Sequence, residues 1–206
     1  LIIFNQIVIS LCFANNDFTI KEILSAPFPS DLTISSDGKK TAWVFNENGI
    51  RNIWVATGPK FKGSAITKNS KDTGEALSSL IFTPNADKVL FIKGSGPNRK
   101  GEIPNPTSLP DWPKQEICIM SSKGGSIAML DEGSSPSLSP NGELLSYIKK
   151  GQVWVLPLKD PKKKKKQFHI RGNASSLRWS PDGKKIAFTS NRGNHSFIGI
   201  YHFSSH

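Results

Sequence analysis

Hydrolysis through a covalent intermediate needs a nucleophile, a base within reach of it and an acid that orients the base. The 206-residue chain does not assemble these in sequence. It has no G-x-S-x-G elbow, and the nearest strings, Gly125-Ser126 and Gly133-Ser134, lack the flanking pattern. Three of the four histidines, His195, His202 and His206, fall near the end. His195 and His202 are too far apart for an H-E-x-x-H helix, and zinc-type spacing is absent. Gly94-Ser95-Gly96 does not join a strand to a helix, as a phosphate-cradling loop would. The sequence therefore offers no catalytic residue, no metal ligand set and no cofactor motif.

Two polar segments remain as candidate contacts for a substrate. Asn191-Arg192-Gly193-Asn194-His195 reads first as a turn, with Gly193 and Asn194 giving the backbone its freedom. Arg192 is also suited to a carboxylate, with His195 beside it. Glu102 lies in a stretch, residues 94–113, that contains Pro97, Pro104, Pro106, Pro110 and Pro113. So many residues without a backbone N–H exclude a ladder there and imply a long loop.

The elements that carry these loops come from a repeat. Ser35-Ser36-Asp37-Gly38-Lys39, Thr83-Pro84-Asn85-Ala86-Asp87, Ser139-Pro140-Asn141-Gly142-Glu143 and Ser180-Pro181-Asp182-Gly183-Lys184 are four copies of one tight turn. Proline fixes φ, Asp or Asn bonds the local backbone, and Gly takes a positive φ. Copy one has Ser36 for Pro, and copy two has Ala86 for Gly. A β-branched and aromatic strand follows each turn: residues 41–45, 89–92, 144–148 and 185–189. Third strands read at 53–56, 116–120, 152–156 and 197–201. Fourth strands read at about 65–67, 127–129 and 167–170. Four short strands per unit, repeated, specify an all-β fold, a β-propeller with about four blades present.

The fourth unit lacks an outer strand. Either the chain is part of a larger propeller, the favoured reading, or the alternating residues 18–24 supply that strand and close a four-bladed ring.

Residues 1–14 are apolar and too short to span a membrane. They resemble the core of a secretory signal, with an ordinary buried strand as the alternative. Residues 15–206 are then the propeller, and the expected location is periplasmic or secreted. With Cys12 removed, Cys118 has no disulfide partner and reads as a small core hydrophobe. The net charge of +11 is concentrated in residues 162–166, a lysine run with Lys159 nearby. Without interleaved aromatics or a recognition helix it reads as a solvated hairpin loop, not a nucleic-acid site.

The string Trp179-Ser180-Pro181-Asp182-Gly183-Lys184-Lys185-Ile186-Ala187-Phe188-Thr189-Ser190-Asn191-Arg192-Gly193 resembles blades of TolB-like propellers. It is equally similar to the N-terminal propellers of prolyl oligopeptidase-family serine peptidases, of the dipeptidyl aminopeptidase or acylaminoacyl peptidase type. Gly101-Glu102-Ile103-Pro104-Asn105-Pro106, Lys114-Gln115-Glu116-Ile117 and Asn194-His195-Ser196-Phe197-Ile198-Gly199-Ile200-Tyr201 add to the peptidase likeness, which covers about residues 26–203. The resemblance implies a secreted or periplasmic serine peptidase. Its propeller gates access for short peptides to a C-terminal α/β-hydrolase domain that this chain lacks. The family's catalytic residues match no position here, and neither does the glutamate motif that holds a substrate amino terminus. The alternative is a non-enzymatic TolB-like propeller that binds protein partners.

Overall fold

A computed structural model describes residues 19–98, 100–105, 108, 110 and 112–203. The expected signal segment, Cys12 and His206 lie outside them. Among the described residues, fifteen strands form four antiparallel sheets in chain order. The first holds β1 (Phe28–Ile34), β2 (Lys40–Glu47), β3 (Ile50–Thr57) and β4 (Lys62–Ala65). The second holds β5 (Leu77–Phe82), β6 (Lys88–Lys93), β7 (Glu116–Ser121) and β8 (Ala128–Glu132). The third holds β9 (Ser134–Leu138), β10 (Leu144–Lys149), β11 (Gln152–Pro157) and β12 (Lys165–Phe168). The fourth, among the described residues, holds β13 (Asn173–Trp179), β14 (Lys185–Asn191) and β15 (Ser196–His202). Each sheet is a meander, and first strands of neighbouring sheets touch: β1 with β5, β5 with β9 and β9 with β13. This is the blade arrangement of a β-propeller.

The repeated turn joins the first and second strands of every blade. Ser35, Ser139 and Ser180 each donate a hydroxyl hydrogen bond to the carboxylate or amide oxygen of Asp37, Asn141 and Asp182. Those oxygens also accept the N–H of Lys39, Glu143 and Lys184. In the second blade the acceptor role passes from Asn85 to Asp87, which takes the Thr83 hydroxyl at 2.7 Å. Ala86 adopts φ 54° where the other copies have Gly38, Gly142 and Gly183 at φ 69–72°.

A second repeat is invisible as a residue type. Seven positions before the turn glycine or its equivalent Ala86, the first strand bulges on a non-glycine residue with positive φ: Asp31, Ser79, Ser135 and Ser176, at 52–58°. The strand registers shift at these places. A bulge adds a residue and increases the local twist, which suits a strand that lines the axis of a radial array.

Blades interlock through one side-chain rule. Five positions after the turn glycine or Ala86 stand Trp43, Phe91, Tyr147 and Phe188, all aromatic. Phe91 packs with Ala42, Val44, Ile53 and Val55 of the first blade. Tyr147 packs with Leu90 and Ile117 of the second, and Phe188 against the Ile148 and Val153 cluster of the third. Cys118 is buried in the first of these cores, as its sequence context suggested.

Two sequence expectations are corrected. Residues 20–25 do not form a strand but the helix α1 (Ile20–Ser25). Thr19 and Glu22 form a reciprocal capping box, with Glu22 N–H to Thr19 Oγ1 at 3.2 Å and Thr19 N–H to Glu22 Oε2 at 2.9 Å. Ile20, Ile23 and Leu24 fall at the i, i+3, i+4 spacing of a helix, whereas alternation accounts for Ile20 and Leu24 but not Ile23, and the local cap agrees with the helix. This segment therefore adds no strand to the fourth sheet. The lysine run lies in an exposed hairpin connection only as far as Lys164, and its last two members are in a strand. A 3₁₀ turn at Pro161–Lys163 precedes β12, so Lys165 and Lys166 lie on an outer edge strand. Exposed lysines there oppose edge-to-edge pairing.

Candidate functional site

Antiparallel alternation sends the repeated turns to one edge of the array. The loops between second and third strands go to the opposite edge, together with the connections between blades. Both candidate loops therefore share a face: residues 94–115 between β6 and β7, and residues 192–195 between β14 and β15.

On that face the candidate side chains are engaged locally. Arg192 lies over the Phe197 ring with its guanidinium carbon 4.6 Å from the centroid, and Nε donates to Ser190 Oγ at 3.2 Å. Its backbone N–H donates to the His195 carbonyl, closing the turn. The His195 ring meets Phe197 edge-on at 5.2 Å and contacts Asn194 Oδ1. Glu102 Oε2 accepts from Asn98 Nδ2 at 2.8 Å, the Glu102 N–H donates to Asn98 Oδ1, and the Asn98 N–H donates to the Glu102 carbonyl. Arg192 and His195 form one unit on the fourth blade, whereas Glu102 belongs to the second.

The same face opens into a cleft of about 470 Å3 between the first and second blades. Its floor includes Phe91, Cys118 and Met129. Its rim includes Arg51, Lys71, Glu75, Lys93 and Glu116. Arg51 sits 3.6 Å from Asp72, and Lys93 3.5 Å from Glu75. Burial, aided by the charge of Glu116, pushes the Cys118 thiol up to about 11, so it is no nucleophile at neutral pH. No residue pattern announces this cleft, because its rim residues are ordinary types scattered over two blades.

The most buried charge cluster lies elsewhere. Asp131 at the end of β8 accepts from Tyr147 Oη at 2.5 Å, Lys149 Nζ at 2.8 Å and Lys164 Nζ at 2.6 Å. Burial alone would raise this carboxyl. The hydrogen bonds from Lys149, Lys164, Tyr147 and the Glu132 backbone outweigh it and hold the group at about 2. Burial and the bond to Asp131 push the Tyr147 phenol up. The cluster joins the outer strand of the second blade to the third, and its groups satisfy one another.

Among the described residues no group of three or more His, Cys, Asp or Glu side chains could hold a metal ion. Among them, too, no helix is long and apolar enough to cross a membrane.

No family model matches the chain. A stretch of 70 residues, 34% of the chain, is 30% identical to dipeptidyl aminopeptidase BIII of Pseudoxanthomonas mexicana. That stretch spans only 10% of the enzyme's length. Among solved structures, TolB of Agrobacterium tumefaciens matches over 87% of this chain and 60% of its own, at TM-score 0.58 and 16% identity. A prolyl endopeptidase matches over 88% of this chain and 29% of its own, at TM-score 0.64 and 11% identity. The β-propeller fold, and the likeness to TolB and to peptidase propellers read from the repeat, are thus borne out.

Proposed function

We propose that this chain is the substrate-gating propeller region of a periplasmic or secreted serine peptidase that cleaves short peptides. The observation that carries this reading is the local identity to a dipeptidyl aminopeptidase, supported by the fold shared with a prolyl endopeptidase. The catalytic α/β-hydrolase domain is the partner, supplied by sequence beyond this chain. Packed blades exclude folded proteins, while an extended peptide reaches the cavity between the domains. Excluding bulk water and orienting the peptide assists the partner's chemistry. Arg192, His195 and Glu102 are offered as peptide contacts from the loop-bearing face.

The test has two parts. The purified chain is expected to show no hydrolysis of short chromogenic peptides, and the reading frame past His206 is expected to encode a G-x-S-x-G elbow followed by Asp and His. A stop codon soon after His206 would overturn the peptidase reading. Hydrolysis abolished by a point substitution within the chain would overturn the assignment of chemistry to the partner domain. The more complete overlap with TolB favours a second reading, a non-enzymatic propeller that binds protein partners.

A further inference from the structure

The edge of the array that carries the repeated turns is strongly basic. Among the described residues, seven loops form it: residues 35–39, 58–61, 83–87, 122–127, 139–143, 158–164 and 180–184. In these loops and at the first residue of the strand that follows each, thirteen lysines and no arginine stand against five carboxylates. The strands contribute directly, because β2, β4, β6, β12 and β14 begin with Lys40, Lys62, Lys88, Lys165 and Lys185. Eight of the eleven net positive charges of the chain therefore belong to this face, and not to the lysine run alone.

The carboxylates of this face are engaged, while most of its ammonium groups are not. Asp37, Asp87 and Asp182 accept the hydroxyls of Ser35, Thr83 and Ser180. Glu143 and Asp160 lie 4.0 and 3.5 Å from Lys159 and Lys163. Lys40 donates to the Ala86 carbonyl at 2.7 Å, and Lys164 to Asp131. The other nine ammonium groups make no hydrogen bond or ion pair among the described residues, and all nine side chains are exposed. The opposite face is different, because Arg51, Lys93 and Lys114 are paired there with Asp72, Glu75 and Glu132. Between Lys60 and Lys62, Phe61 holds left-handed backbone at φ 46° and is 46% exposed. Bulky residues rarely adopt that backbone, and the Phe61 ring joins none of the three cores.

We propose that this face is a docking surface for an anionic lipid bilayer. A flat field of lysines attracts anionic headgroups without demanding one geometry, and each lysine near such a surface tightens binding about fivefold. Arginine, whose planar fork would select a single carboxylate or phosphate, is absent from these segments. Phe61, between two lysines, supplies an apolar ring for the boundary between headgroups and acyl chains. Nucleic acid fits less well. The helical element among these loops is the three-residue turn Pro161–Lys163, too short to enter a groove, and no series of exposed aromatic rings is there to stack on bases. Blades pack through their sheet faces, whereas this surface is made of sheet ends, so further blades would extend it and not cover it. The inference does not depend on the peptidase reading, whose peptide contacts lie on the opposite face.

The experiment is co-sedimentation of the full chain with vesicles at about 0.1 M salt. One set is phosphatidylcholine alone, and the other contains roughly one third phosphatidylglycerol. The wild type is expected to bind the anionic vesicles, to leave the neutral ones unbound, and to be released by about 1 M salt. Combining Lys39→Glu, Lys123→Glu and Lys184→Glu reverses three exposed lysines on three blades, and is expected to weaken binding at least about tenfold. Combining Lys68→Glu, Lys150→Glu and Arg171→Glu changes net charge equally on the opposite face, and is expected to stay within about twofold of wild type. Circular dichroism checks that both triple variants keep their strand content. A wild type that stays in solution would overturn the proposal, as would equal binding to neutral vesicles or equal losses in the two triple variants. Tighter retention on an oligonucleotide duplex than on anionic vesicles at the same salt would overturn it too, and would assign the face to nucleic acid.

Discussion

Asp131 is the residue on which the packing of the second and third blades most visibly turns. Its carboxylate meets two lysines and a phenol in a site where its side chain is only 4% exposed. A buried charge deprived of its partner is expensive, so Asp131→Asn is expected to lower stability by about 2–3 kcal/mol, read from the urea midpoint. The pH dependence follows from the depressed group. Its contribution is fully present above the unfolded value of 3.8 and is lost as pH falls through about 2. Wild type and Asp131→Asn are therefore expected to converge in stability between pH 4 and 2, by about 2 kcal/mol. Lys164 shows why the lysine run was only partly legible. In sequence it is one of five identical residues, and only its position opposite Asp131 separates it from its solvated neighbours.

Among the elements, the first strand of each blade holds the least expected feature. The bulge residues Ser135 and Ser176 occupy left-handed backbone at φ 52° and 55° with exposed side chains. A Cβ in that region costs about 1–2 kcal/mol, and more when branched. Ser176→Gly is expected to leave stability unchanged or raise it by up to about 1 kcal/mol. Ser176→Val is expected to lower it by more than 1 kcal/mol, roughly, in the same denaturation assay. A straight strand at this place would predict the reverse order, because Val favours strands and Gly does not. The alternation of apolar residues located the strands, but neither Ser nor Asp announces a bulge. The helix α1 is the converse case, where alternation suggested a strand and the Thr19–Glu22 cap made a helix.

For the whole molecule, a linear array of blades makes stability a sum of interfaces between neighbours. The second and third blades are covered on both faces, while the first and fourth each leave an apolar face open. Hydrogen exchange of the chain is expected to be slowest in β6 and β10 and faster in β2 and β14, although all four are second strands. Uniform protection across the four would mean that the array opens only as one unit.

The sequence by itself determined the blade. Turn chemistry at Gly38, Ala86, Gly142 and Gly183 and period-two strands are local properties, set by backbone sterics and by which side of a strand is apolar. It also placed the long proline-rich loop between β6 and β7, because proline cannot donate to a ladder. Only the tertiary structure decided what faces what. Asp131 with Lys164, and the rim of the cleft around Phe91, depend on groups brought together from separate blades. Residue types at those positions are commonplace. Their meaning comes from distance and burial, which arise once the blades pack.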